Sequence, residues 1–408
     1  MKIFKILAVA LVATLGFTAC DKECGHDFIE YDHSKDLVGT WTCLTADYSE
    51  ALVINADGSV VSTGVEDGEY WEGVKGNIKT VNNKMTMTFE DGDNYEGRFE
   101  IICGEAFTIF NEEGEHMTYR YCAKDLSKEI VGMWVCMQEA FGQEEEMVIQ
   151  IFDENGICTF TGYVPDVNGY IKEAKCNYEV IGNLLITTIE DNNGSPVSSV
   201  AIKINITPDA TEHGDIMSTY NPVLNTTSNF LRVKQHLELP GMKYDYIKTF
   251  VSNVKGLDKD IEFMGTTFNF AKMDGVKLDK MLKTLLFTVE FPDANTIKYS
   301  CHYNGEYMAL TAPIAVDGNK MTVKMSDKDA AYKDVDLYTF QDQDNTQMHM
   351  YMHSTAFVNF FGNMQVTIME QLGQLDTTDE AAVKAVFDSI DEAVETINVS
   401  FVMEKAAK

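Results

Sequence analysis

The chain reads as a mainly β protein: a tandem of small antiparallel meander β-barrels, three in all, the third with a helical insertion. Three observations predict this. A ten-residue segment, Ser34-Lys35-Asp36-Leu37-Val38-Gly39-Thr40-Trp41-Thr42-Cys43, returns 93 residues later as Ser127-Lys128-Glu129-Ile130-Val131-Gly132-Met133-Trp134-Val135-Cys136. A two-residue Asn/Gly turn occurs three times, as Asn82-Asn83, Gly182-Asn183 and Gly318-Asn319, and both residue types tolerate the positive φ of a tight hairpin. The segment after each turn alternates, through Met85, Met87 and Phe89, through Leu185, Thr187 and Ile189, and through Met321, Val323 and Met325. One face of each strand is thus predominantly apolar, as a half-buried antiparallel sheet requires. Short strands with frequent turns, repeated as whole units, indicate small closed meanders rather than a solenoid.

From the N-terminus, Lys2 and Lys5 precede an apolar run from Ile6 to Phe17, followed by the small residues Thr18-Ala19 before Cys20. This is secretory signal grammar, and the run is too short to span a bilayer. Residues 1–19 are therefore expected to be a signal peptide and 20–33 a lipidated linker. Phe17-Thr18-Ala19-Cys20 resembles a bacterial lipobox, with Phe where that motif prefers Leu, and implies acylation of Cys20. Asp21-Lys22-Glu23 resembles the acidic tag of Bacteroidota-type lipoproteins displayed on the outer face of the outer membrane. That resemblance implies a cell-surface, outer-membrane protein held to the membrane through its lipid anchor alone.

The repeats set the expected domains at 34–126, 127–239 and 240–408. Behind the opening motif, Ile54-Asn55-Ala56-Asp57-Gly58 matches Phe152-Asp153-Glu154-Asn155-Gly156, each a turn after an apolar segment. In the third unit Leu278, Met281, Leu282 and Leu285 recur at helical spacing, and residues 354–372 read as a helix with Phe357, Val358, Phe361 and Met364 on one stripe. A second helical pattern, Val383, Val386, Phe387, Ile390 and Val394, follows a capping box of Thr377 and Glu380. A final strand alternates through Ile397, Val399, Phe401 and Met403, so the helices are inserted before the last strand.

Composition narrows the function classes. With 408 residues, 45% hydrophobic and 7 prolines, the chain is folded globular material of two to three domains. A formal charge of −32 repels phosphate backbones and anionic headgroups, which disfavours nucleic acid and electrostatic adhesion to membranes. Eight cysteines follow Cys20 without a metal-type C-x-x-C spacing, and several are expected as buried free thiols. No nucleophile elbow, zinc-protease helix, phosphate loop or dinucleotide fingerprint is present, so no catalytic residue and no cofactor is assigned.

Leu37-Val38-Gly39-Thr40-Trp41 and Ile130-Val131-Gly132-Met133-Trp134 resemble the G-x-W motif that opens the first strand of lipocalins and the wider calycin group. In that family the last strand supplies an Arg that packs over the Trp, a cation–π contact worth roughly 0.5 to 2 kcal/mol. The chain has three arginines, and Arg120 and Arg232 each fall in the last strand of a Trp-bearing repeat. The resemblance thus implies the pairs Trp41 with Arg120 and Trp134 with Arg232. The third unit offers Gly265-Thr266-Thr267-Phe268 at the motif position and no Arg. The chain is similar to lipocalin-like lipoproteins of the Bacteroidota type, which implies a barrel cavity and binding rather than catalysis.

Two clusters invite metal chemistry. Met348-His349-Met350-Tyr351-Met352-His353 interleaves sulfur and imidazole, but two histidines four apart on a strand are about 13 Å apart, too far to chelate one ion. The acidic turns Glu90-Asp91-Gly92-Asp93-Asn94 and Asp342-Gln343-Asp344-Asn345 lack the spacing of a calcium loop. No metal site is assigned. The expectation is a surface-anchored, non-catalytic module holding a small hydrophobic ligand in a barrel cavity, with Met321, Val323, Met325, Met348, Met350, Met352 and Phe401 lining it in the third unit. The alternatives are a structural or protein-interaction stalk meeting an envelope or host protein, and a calycin-type protease inhibitor. An unfilled lumen marks the first, and filled lumens with exposed apolar loops mark the second.

Overall fold

A computed structural model describes residues 31–407, apart from 103, 112, 137–147, 165–168, 171–173, 191–195, 212–213, 264–265, 273–274 and 328–329. Residues 1–30, which include the expected signal peptide and Cys20, lie outside the described residues. The chain packs as two compact units: the described residues up to Ile130 with Cys176–Asn205 and Thr219–Thr227, and Val131–Lys175 with Ile206–Ser218 and Ser228–Lys408. Packing therefore divides the chain at places other than the repeat boundaries.

The first barrel closes eight strands in sequence order: β1 (Gly39–Leu44), β2 (Tyr48–Ile54), β3 (Ser59–Glu66), β4 (Glu69–Val81), β5 (Lys84–Phe89), β6 (Asn94–Ile102), β7 (Ala106–Phe110) and β8 (His116–Cys122). Alternation decides the inside, where Trp41, Leu52, Ile54, Met85, Met87, Phe89, Phe107 and Tyr119 form one core. The opposite face of β1 to β3 is not bare. Ala51 and Val65 pack there against Leu184, Ile186 and Ala201, and Asn183 Oδ1 accepts from Thr42 Oγ1 at 3.0 Å and Cys122 Sγ at 2.9 Å.

The second barrel is built from β9 (Gly132–Cys136), β10 (Val148–Phe152), β11 (Ile157–Val164), β12 (Gly169–Tyr170), β13 (Ala174–Ile181), β14 (Leu184–Glu190), β15 (Pro196–Thr211), β16 (Gly214–Asn221) and β17 (Thr226–Val233). Their order is β10-β9-β17-β16-β15-β14-β13-β11-β12, and pairing of β10 with β11 closes eight of them while β12 hangs from β11.

The third barrel begins with β18 (Met242–Gly256), which pairs with both the second and the last barrel strand. A hairpin of β19 (Asp260–Phe263) and β20 (Thr266–Asn269) and the helix α1 (Gly275–Thr284) follow. Then come β21 (Thr288–Asp293), β22 (Thr296–Tyr303), β23 (Glu306–Asp317), β24 (Lys320–Val323), β25 (Val335–Gln341) and β26 (Gln347–His353). Helices α2 (Ser354–Gln371) and α3 (Glu380–Asp391) precede the closing strand β27 (Val394–Lys405). The helical insertion before the last strand is as expected from the sequence. Two details differ. Thr266–Phe268 lies in the side hairpin and not in the first barrel strand, because the first strand must pair with both the second and the last, and β18 alone does so. The cap of α3 is Asp379, whose carboxylate accepts from Ala381 N and Ala382 N, whereas Thr377 donates to Glu370.

The repeated two-residue turns occupy one equivalent place. Each joins the fourth and fifth strands of its barrel, with Asn82, Gly182 and Gly318 at φ of 55, 62 and 58°. The third core is the largest, and α2 is what fills it. Its Phe360 reaches Phe287 at 5.9 Å, Tyr299 at 5.4 Å and Phe401 at 5.7 Å between ring centres. Polar contacts fix the helix: Asn363 exchanges two hydrogen bonds with the Lys333 backbone, and Ser354 Oγ accepts from Ile397 N at 3.0 Å. Gly362 lets α3 come close, since a side chain there would meet the Phe387 ring. A helix apolar on more than one face is buried on both sides, here by barrel and α3. Replacing Phe360 by Ala is expected to cost about 3–5 kcal/mol, because Phe287, Tyr299, Phe361 and Phe401 lose their contact at once. Chemical denaturation of the variant against the wild type measures it.

Candidate functional site

The opening motif works differently in the two barrels that carry it. In the second, Arg232 stands opposite Trp134 in register, and its guanidinium lies 4.2 Å from the ring centre. Its Nε donates to Asp215 at 3.0 Å and its Nη1 to Val131 O at 2.7 Å. In the first, the residue opposite Trp41 is Tyr121, and Arg120 pairs one position away with Thr42. The expected Trp41–Arg120 contact is therefore replaced by an edge-on Trp41–Tyr121 pair at 5.1 Å. A one-residue step puts Arg120 on the opposite face, where it is exposed. Gly39 and Gly132, at φ of 137 and 135°, are required by these partners, because a Cβ would run into Tyr121 in one case and Arg232 in the other.

Inside the first barrel lies a polar group that the motifs did not announce. Glu50, 2% exposed, accepts from Tyr48 at 2.8 Å, from Ser62 at 2.5 Å and from Tyr119. Trp71 Nε1 donates to the same Ser62 hydroxyl at 2.9 Å. Burial pushes the Glu50 carboxyl above its ordinary value, against the lowering effect of the three hydroxyls. The Cys43 thiol is pushed up to about 12 by burial and by the charge of Glu50, and is correspondingly inert. Strand parity was the available signal: Glu50 shares the inward face of β2 with Leu52 and Ile54. Register also separates two thiols. Cys43 points inward and Cys122 outward, both are free thiols, as is Cys301, and Cys136, Cys158 and Cys176 are buried.

The seven candidate ligand residues of the third barrel come together in one core. Met348, Met350 and Met352 pair across to Met403, Phe401 and Val399, while Met321 and Val323 face them from β24. All are buried, and Met325 borders a cavity. That cavity holds about 40 Å³ and lies between β22, β23, β25 and α2, with Phe287, Tyr299, Cys301, Phe360 and Met364 in its wall. Tyr299 is buried there with its hydroxyl unbonded, and burial alone raises its pKa. Ligand pockets are typically about 300–1,000 Å³, so a drug-sized guest fits only if α2 moves.

The Met/His strand divides by face as expected, methionines inward and histidines outward. His349 is nonetheless buried, with Nε2 2.8 Å from Gln347 Oε1, and burial holds the His353 imidazole below its usual value. Tyr351 joins Phe340, Met133, Val135, Ile149 and Val233 in an apolar seam. In the second acidic turn Asp342 is fully buried and caps Thr346. Among the described residues no three His, Cys, Asp or Glu side chains converge on a metal-sized site. An open groove of about 430 Å³ runs past Gly132, Arg232, Lys234, His236 and Glu238, but its cations are tied up, Arg232 to Asp215 and Lys234 to Glu238.

Fold and sites together define a protein of three tandem eight-strand barrels. No protein-family model matches the chain, and no curated protein matches it in sequence. Two solved structures of the vaccine antigen Transferrin Binding Protein B from Haemophilus parasuis Hp5, a double and a single mutant, are similar at 11% and 10% identity. Each alignment covers 88% of this chain and 66% of that one, with a TM-score of 0.23. The chain spans just under two thirds of those structures, and the likeness is too low to carry a shared fold or function.

Two outcomes follow from these sites. Arg232→Ala is expected to lower stability by about 1–3 kcal/mol through lost ring, carboxylate and carbonyl contacts, and exposed Arg120→Ala by under about 0.5 kcal/mol, both read from denaturant midpoints. Glu50 has a folded-state pKa above the unfolded one, so its contribution is fully present below the unfolded value of 4.5 and is lost as pH rises through the folded value. The melting temperature of the wild type should fall relative to Glu50→Gln as pH rises above the unfolded value, and parallel curves for the two proteins would refute the buried carboxyl.

Proposed function

We propose that the chain is a lipid-anchored, surface-displayed and non-catalytic binding module of lipocalin-like barrels that acts through its exterior on an envelope or host protein. The carrying observation is that α2 packs into the core of the third barrel, the one richest in Met and Phe, and that the cavity beside it holds about 40 Å³. The first lumen is likewise occupied, by Trp41, Phe107, Tyr119 and the Glu50 group. An eight-strand barrel is just wide enough either to be filled by its own side chains or to hold one small ligand, and here the side chains take the space. The address rests on Cys20 and the acidic residues behind it, with the acyl chain as the sole membrane contact. The acidity supports the exclusion of nucleic acid.

One observation favours a second reading, carriage of a small hydrophobic ligand. The unbonded Tyr299 hydroxyl borders the apolar cavity, and a largely apolar guest with one hydrogen-bonding atom, displacing part of α2, would satisfy it. Native mass spectrometry of residues 21–408 after exposure to an extract of the native cells and medium separates the two. The exterior reading predicts a clean apo mass; adducts that are retained natively and vanish on denaturation would overturn it.

A further inference from the structure

Between β16 and β17 the chain turns through Pro222, Val223, Leu224 and Asn225, and this tip differs in character from the other surface turns described above. Val223 is 61% exposed and Leu224 68%, two adjacent aliphatic side chains in water, with Tyr220 exposed beside them. From Tyr220 to Leu231 there is no charged residue, in a chain that is 24% charged and carries −32 overall. The acidic turns keep a charge at the tip; this one presents none.

The tip is also held in shape. Asn221 Oδ1 accepts from Val223 N at 3.0 Å and Leu224 N at 3.1 Å, Tyr220 donates to Asn225 Oδ1 at 3.1 Å, and Asn225 sits at φ 50°. Pro222 fixes one further φ. None of these bonds buries Val223 or Leu224; they hold the pair outward. A preordered apolar tip loses little conformational entropy on docking, which is what distinguishes an anchor from a loop that merely carries apolar residues.

We infer that the β16–β17 tip is a docking finger for a protein partner, which takes Val223 and Leu224 into an apolar pocket rimmed by basic side chains. The inference rests on the exterior-binding reading and names its surface. The basic rim follows from charge complementarity, since a chain of charge −32 repels an acidic partner face and attracts a basic one. The same charge opposes insertion into an anionic lipid surface, and a second copy of this chain would bring like charge against like.

The test places a photo-crosslinking residue at position 224, and in a separate protein at exposed Tyr307, in the full lipid-anchored chain on its native cells in their normal surroundings. The expected result is a crosslink from position 224 to a protein of different sequence. Purified, that protein should bind residues 21–408, more weakly as salt rises, and lose at least about tenfold in affinity when Val223→Asn and Leu224→Asn are combined. An unchanged melting temperature of that variant shows the fold intact. Crosslinks to lipid or to copies of the chain alone, or an affinity unmoved by the double substitution, overturn the finger. A protein crosslink from position 307 without one from 224 overturns the finger and leaves exterior binding standing. No protein crosslink from either position counts against both.

Discussion

Closing eight strands into a barrel creates an interior that must be occupied, and the way each lumen is filled governs the rest of this structure. Closure removes sheet edges and satisfies the backbone, but an empty lumen would forfeit the packing that offsets chain entropy. In the first barrel large aromatic rings and a buried carboxyl with its hydroxyl donors occupy the space. In the third the strands alone are not enough. An eighteen-residue helix is inserted between the seventh and eighth strands, and its aromatic side chains complete the core.

The opening Gly-x-Trp follows from the same constraint. Trp41 and Trp134 are the largest inward side chains of their first strands, and each needs a cover from the last strand. Tyr121 or Arg232 supplies it by lying across the glycine two positions before the Trp, where any side chain would block it. The motif is thus a packing device: it locks first strand to last, and it holds whether the cover is aromatic or cationic. In the third barrel β18 carries Tyr244 and Tyr246 instead, and Tyr244 is tied to Gln341 inside the barrel.

Much of the fold was legible because periodicity and turn chemistry are local. The Asn/Gly turns fixed three equivalent hairpins, and alternation through Ile397 to Met403 identified the closing strand together with the helices before it. What escaped depends on register or on partners distant in sequence. Arg120 and Tyr121 are neighbours, and a shift of one residue decides which meets Trp41. Inward residues look alike whether they fill a core or line a pocket, so Met321, Val323, Met348, Met350, Met352 and Phe401 could be placed on one face but not shown to be covered by α2. Two signs were readable and outweighed by motif: the charge at inward position 50, and the apolar residues Phe360, Val366 and Ile368 outside the single stripe assigned to α2.

The central claim is that α2 is a permanent part of the third core and not a guest's placeholder. Amide hydrogen exchange of residues 354–371, set against β26 and β27 in the same protein, tests it most directly. If the helix fills the lumen for good, its amides open together with those strands at the global unfolding free energy. Exchange of α2 through a separate opening, while β26 and β27 stay protected, would show a lumen that can be vacated and would contradict the claim.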